Sequence, residues 1–67
     1  MLASRIKEQR IMKGYTLKHV AEQLNVTIRS ICRYESGERE PSIDMLKTLC
    51  DFYDVSADYL IGRTDSY

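Results

Sequence analysis

The chain of 67 residues holds two cysteines, one histidine, three glycines and no net charge. Cys32 and Cys50 stand far apart, with no second pair and no CxxC. That spacing argues against a disulfide scaffold or a zinc site and for two reduced thiols, as in a cytoplasmic protein. His19 has no metal-ligand partner at helical spacing and reads as a surface or partly packed residue, so neither a metal nor a cofactor is expected. The glycines form no phosphate-cradling loop. No Ser-His-Asp set and no carboxylate pair in a plausible cleft is present. A domain this small hides only about 60% of the surface its unfolded chain exposes, which leaves little volume for a deep pocket. An enzyme is therefore not expected, nor is a small-molecule ligand. No secretory signal is present, and no uncharged run approaches the length of a membrane span. Ten Lys+Arg against ten Asp+Glu argue against a protein that coats nucleic acid or a membrane surface through bulk charge.

What is present is helical. One signal recurs: an apolar or stiff residue, then Ser or Thr, then an apolar residue four positions after the hydroxyl. It reads Tyr15-Thr16 with Val20, Val26-Thr27 with Ile31, Pro41-Ser42 with Leu46, and Val55-Ser56 with Leu60. The hydroxyl accepts from an orphan N–H of the first turn, and the flanking apolar pair staples the entering chain. Gly14, Asn25, Gly37, Asp54 and Gly62 supply the stops. The pattern predicts five helices, over 2–13, 16–24, 27–36, 42–53 and 56–61, and no strand. One domain over residues 1–62 is expected, followed by a polar tail, 63–67, that frays. Candidate core residues are Ile6, Val20, Ala21, Leu24, Val26, Ile31, Ile43, Leu46, Leu49, Cys50, Tyr53, Val55 and Leu60, with Met12 and Met45 filling gaps. Tyr15, Tyr53 and Tyr59 read as packing residues. Phe52, Tyr53, Tyr59 and Ile61 also form a candidate dimer patch.

Residues 16–36 hold two short helices with only Asn25 and Val26 between the first helix and the cap of the second. This is helix-turn-helix spacing. Ala21 sits where the two helices cross. The stretch from Gly14 to Gly62 resembles the lambda-repressor-like, Cro/C1-type family of helix-turn-helix proteins. The resemblance rests on Gly14, Thr16, Ala21, Leu24, Val26-Thr27, Ile31, Glu35-x-Gly37, Arg39-x-Pro41-Ser42 and Val55-Ser56. Ser4 through Arg10 looks like the first helix of small phage repressors.

The resemblance implies an all-α, five-helix domain that places its third helix in the DNA major groove. It puts Ile28, Arg29 and Arg33 against base edges, with Ser30 and Cys32 nearby. Arg suits the O6/N7 edge of guanine, and Ile28 suits a thymine methyl. The plainer alternative for the two arginines is a solvated helix face, and for Ile28 partial burial. Thr16, Lys18, Thr27, Arg39 and Arg10 fall at positions beside the DNA backbone, Thr27 being first a cap. Arg10 and Glu35 are implied as an ion pair bracing the first helix against the third. Three features depart from the family pattern. Leu17 replaces a common Gln, Glu38 and Glu40 flank Arg39, and Cys32 lies on the reading face, where oxidation would obstruct docking.

The expected function is a sequence-specific transcriptional regulator, a phage- or bacterial-type repressor. It would bind double-stranded DNA as a homodimer, through the C-terminal helices, at a palindromic operator. The competing expectation is a protein-interaction module such as an antitoxin or anti-repressor partner, favoured by Leu17, Glu38, Glu40 and the neutral total. That total is itself divided. Residues 1–39 carry eight Lys+Arg against four Glu, and residues 40–67 carry two against six Asp+Glu. The basic half coincides with the helix-turn-helix.

Overall fold

The computed structural model describes residues 1–67. It contains five helices and no strand: α1 (Leu2–Met12), α2 (Leu17–Leu24), α3 (Ile28–Ser36), α4 (Ile43–Tyr53) and α5 (Ala57–Leu60). All four hydroxyl signals are caps. Thr16 Oγ1 accepts from His19 N–H at 3.0 Å and Thr27 Oγ1 from Ser30 N–H at 3.1 Å. Ser42 Oγ accepts from Met45 N–H at 3.1 Å, and Ser56 Oγ from Tyr59 N–H at 3.0 Å. Each satisfies an N–H that the helix itself leaves without a partner. Only α1 starts without a side-chain cap. Asn25 (φ 56°) and Asp54 (φ 57°) end α2 and α4 in the left-handed conformation that short polar side chains tolerate.

α1 is the central element. It packs on α3 on one side and on α4 and α5 on the other, while α2 packs on α3 and α4 on α5. The core draws on every helix: Ile6, Val20, Ala21, Ile31, Tyr34, Leu49, Tyr53, Tyr59 and Leu60. Leu24, Val26, Met45, Leu46, Cys50 and Val55 pack against it half-buried.

Four expectations are corrected. Ile43 is 78% exposed, because it is the first residue of α4 and overhangs the core, which α4 engages from Met45 onward. Met12, in the last turn of α1, is also exposed. Tyr53 and Tyr59 are buried in the core and offer nothing to a partner. Residues 63–67 do not fray. Arg5 reaches across them, donating from Nη1 to the carbonyls of Tyr59 (2.7 Å) and Thr64 and from Nη2 to Asp65 (2.7 Å). Its guanidinium lies 4.5 Å from the Tyr59 ring centroid. The Tyr67 carbonyl accepts from Ser56 N–H, and the Tyr67 ring meets Tyr59 edge-on.

Gln9 is a buried polar residue that hydropathy gives no reason to place in a core. Its amide donates to Tyr59 Oη at 3.3 Å, which meets part of the cost of burying it.

Candidate nucleic-acid interface

The left-handed Asn25 turns the chain within two residues, and Val26 N–H bonds back to the Ala21 carbonyl at 3.0 Å. Ala21 is buried on the side of α2 that faces the core, and α2 packs on α3. The turn between α2 and α3 is thus fixed by a left-handed residue and a cap, both within residues 16–27.

α3 is held by two faces. Ile31 and Tyr34 are buried in the core. Glu35 faces α1, where Arg10 meets it in a two-pronged pair: Nε to Oε2 at 2.7 Å and Nη2 to Oε1 at 3.1 Å. The side chains are 15% and 6% exposed, and Arg10 Nη1 also donates to the Tyr15 carbonyl at 3.0 Å. The hydrogen bond with Glu35 raises the Arg10 pKa above its ordinary value, against the opposing effect of burial. With Nε and both terminal nitrogens engaged, Arg10 is first a brace.

The remaining face of α3 is open. Ile28 is 45% exposed, and Arg29 and Cys32 are exposed. Ser30 and Arg33 are half-buried. Ser30 Oγ lies 3.0 Å from Thr27 Oγ1, so both hydroxyls serve the start of the helix. Arg29 and Arg33 are one turn apart and form one row, while Ile28 and Cys32 form the adjoining row. Lys18 and Thr16 are exposed at the opening of α2. Both helix openings present unpaired N–H groups and the positive end of a helix dipole, which favour anions.

The α3–α4 loop begins at Gly37, whose φ of 80° a side chain would strain. Exposed Arg39 lies in this loop, its guanidinium 5.9 Å from the centroid of the Tyr34 ring. Glu38 and Glu40 beside it are exposed as well.

Two features escape a reading by residue type. Tyr34 is the aromatic shelf under Arg39. Lys7, three positions before Arg10 on the same side of α1, borders a shallow depression of about 210 Å³ together with Arg10, Leu17, Cys32, Glu35 and Ser36. The i, i+3 spacing of Lys7 and Arg10 was the available signal. A second depression, of about 230 Å³, lies between the start of α1 and the α3–α4 loop. No group of three or more His, Cys, Asp or Glu is assembled that would hold a metal, and no helix is long and apolar enough to cross a membrane.

Two short helices joined by this turn, the second with one face in the core and one open, define a helix-turn-helix domain. Residues 6–60 match the helix-turn-helix family model. The chain is 42% identical over 64 residues to the HTH-type transcriptional regulator ImmR of Bacillus subtilis, covering 96% of this chain and 50% of ImmR. It is 36% identical over 63 residues to the HTH-type transcriptional regulator AnsR of the same organism, covering 94% of this chain and 54% of AnsR. The cryptic phage CTXphi transcriptional repressor RstR of Vibrio cholerae is 31% identical over 62 residues, with 92% of this chain and 55% of RstR covered. Among solved structures, the master regulator for biofilm formation SinR, in complex with DNA, superposes with a TM-score of 0.81 at 34% identity. That match covers 91% of this chain and 98% of the SinR chain. The chain therefore belongs to the Cro/C1-type, lambda-repressor-like family of helix-turn-helix proteins. It spans about half the length of the curated relatives it matches.

Proposed function

We propose that the chain is the sequence-specific DNA-binding part of a transcriptional regulator, acting as a repressor by occupying an operator. The observation that carries this reading is the open face of α3, on which Arg29 and Ile28 stand free beside the capped openings of α2 and α3. α3 lies in the major groove, with Ile28, Arg29, Ser30, Cys32 and Arg33 toward base edges. Arg29 and Arg33 take guanine, each bidentate contact being worth about 1–3 kcal/mol of discrimination. Lys18, Arg39 and the hydroxyls of Thr16 and Thr27 face the backbone, with the Arg10 guanidinium behind them. The names of its relatives support the class: ImmR and AnsR are transcriptional regulators, RstR is a repressor, and SinR was solved with DNA.

The operator is a palindrome read by a homodimer, with half-sites about 34 Å apart so that two recognition helices enter successive major grooves. Exposed Ile61 and half-buried Phe52 are what remains of the candidate dimer patch once Tyr53 and Tyr59 are buried. The uneven charge orients the approach, presenting the basic half to DNA without strong nonspecific adhesion.

Selection from a random duplex pool, followed by affinity measurement on the winner and on an unrelated duplex, tests the reading. The expected result is an enriched inverted repeat bound at least a thousandfold more tightly than the unrelated duplex. No retardation of genomic fragments at micromolar protein and low salt would overturn it in favour of a protein-interaction module. The exposed carboxylates Glu38 and Glu40 beside Arg39 suit such a module.

A further inference from the structure

The open side of the helix-turn-helix carries non-polar side chains where a DNA-facing surface has most use for polar ones. Leu17 is the first residue of α2, Ile28 the first of α3, and Cys32 lies one turn after Ile28. Leu17 and Cys32 border the same depression, with Lys7 and Arg10 on its rim. Ile28 and Cys32 are exposed, and Leu17 is half-buried. Together they form a strip along α3 that leads onto the opening of α2. It is flanked by the Arg29 and Arg33 row on one side and by exposed Lys7 on the other, the Arg10 charge beside Lys7 being met by Glu35. A free thiol packs as a small apolar group. The flanking cations fit a polyanion, so the occupant of this strip is a groove of duplex DNA rather than an apolar protein.

In the major groove one base pair presents an apolar group, the C5-methyl of thymine. We infer that Leu17 and Cys32, with Ile28, read thymine methyl groups, so that the half-site pairs a guanine contacted by arginine with thymines selected by non-polar contact. This rests on the DNA-binding reading above and adds to it the chemical feature being read. Leu17 makes no hydrogen bond to phosphate or base. Its role is to exclude water from the methyl that Cys32 also covers. The same strip accepts the methyl of 5-methylcytosine where a thymine is favoured.

The test replaces each thymine of the selected operator, one at a time, by deoxyuridine, which removes the methyl and leaves pairing unchanged. With the unaltered protein, one to three positions in each half-site should lose about fourfold in affinity, the worth of one buried methyl-sized group. At some of those positions the loss should vanish in the Leu17→Gln or Cys32→Ser protein. Cys32 is exposed and Leu17 is half-buried against the edge of the core, and thermal melting confirms that the variants are folded. A specific operator indifferent to every deoxyuridine overturns the inference and leaves the DNA-binding reading standing. So does a methyl effect unchanged in both variants, which would assign it to Ile28 alone. Failure to select any operator overturns the DNA-binding reading itself.

Discussion

Arg10 and Glu35, 25 residues apart, meet through two hydrogen bonds of 2.7 and 3.1 Å and lock α1 to α3. The pair is largely shielded from water, so removing one partner strands the other charge. Arg10→Met and Glu35→Gln should each destabilise the fold by about 2–4 kcal/mol. The double variant should cost less than the sum. Urea unfolding of the four proteins measures the coupling.

Tyr53 stands beside this pair with its hydroxyl buried and without a hydrogen-bond partner. Tyr53→Phe should therefore be neutral or stabilising by up to about 1 kcal/mol, since it deletes a polar group that burial leaves unsatisfied. Burial chiefly, and the charge of Glu35 next, push the Tyr53 pKa up to about 12. The neutral phenol is the form the folded state prefers. Its contribution is fully present below the unfolded value of about 10 and is lost as pH rises toward 12. Between pH 10 and 12 the unaltered protein should lose more stability than Tyr53→Phe does, which chemical denaturation at stepped pH measures.

The fold was legible where the signal is local. Thr16, Thr27, Ser42 and Ser56 each cap within three residues of themselves, so the sequence carries the whole motif. The inner face of α3 was legible for the same reason, since Ile31, Tyr34 and Glu35 follow helical spacing. Ile43 was misplaced because periodicity fixes a side of a helix but not where the core begins along it. Tyr59 was read as a packing residue, but Gln9 is buried against it through a contact between residues fifty positions apart, which no local pattern records. The exposure of Ile28, Arg29 and Cys32 on the outer side of α3 was legible through the same helical spacing. Lys7 and the Leu17–Cys32 depression emerge only when α1, α2 and α3 are brought together.

The tail shows the same limit. Arg5 bonds to residues 54 to 60 positions away, so nothing near residues 63–67 announces that they are held. Arg5→Ala should release them. Amide exchange at Ser56, whose N–H donates to the Tyr67 carbonyl, should rise at least tenfold, while exchange in α2 and α3 changes little. Exchange monitored by nuclear magnetic resonance separates local release from global unfolding.

The two thiols should differ in reactivity. Cys32 is exposed, whereas Cys50 is half-buried and its pKa is raised, first by burial and then by Asp51. A thiol reagent at neutral pH should modify one group quickly and the second at least tenfold more slowly, with peptide mapping placing the fast one at Cys32. Modification of Cys32 should block operator binding, since the adduct would stand on the face of α3 proposed above to meet DNA.

Sequence-specific binding by α3 requires that Arg29 and Arg33 read bases rather than form a solvated charge row. The most direct measurement compares affinities for the selected operator and for an unrelated duplex, at one salt concentration, in the unaltered protein, Arg29→Ala, Arg33→Ala and Lys18→Ala. The arginine variants should each lose about ten- to a hundredfold on the operator and much less on the unrelated duplex. Lys18→Ala should weaken both about equally and lower the salt dependence by about one phosphate contact. Operator affinity that survives both arginine changes, with discrimination intact, would contradict the account.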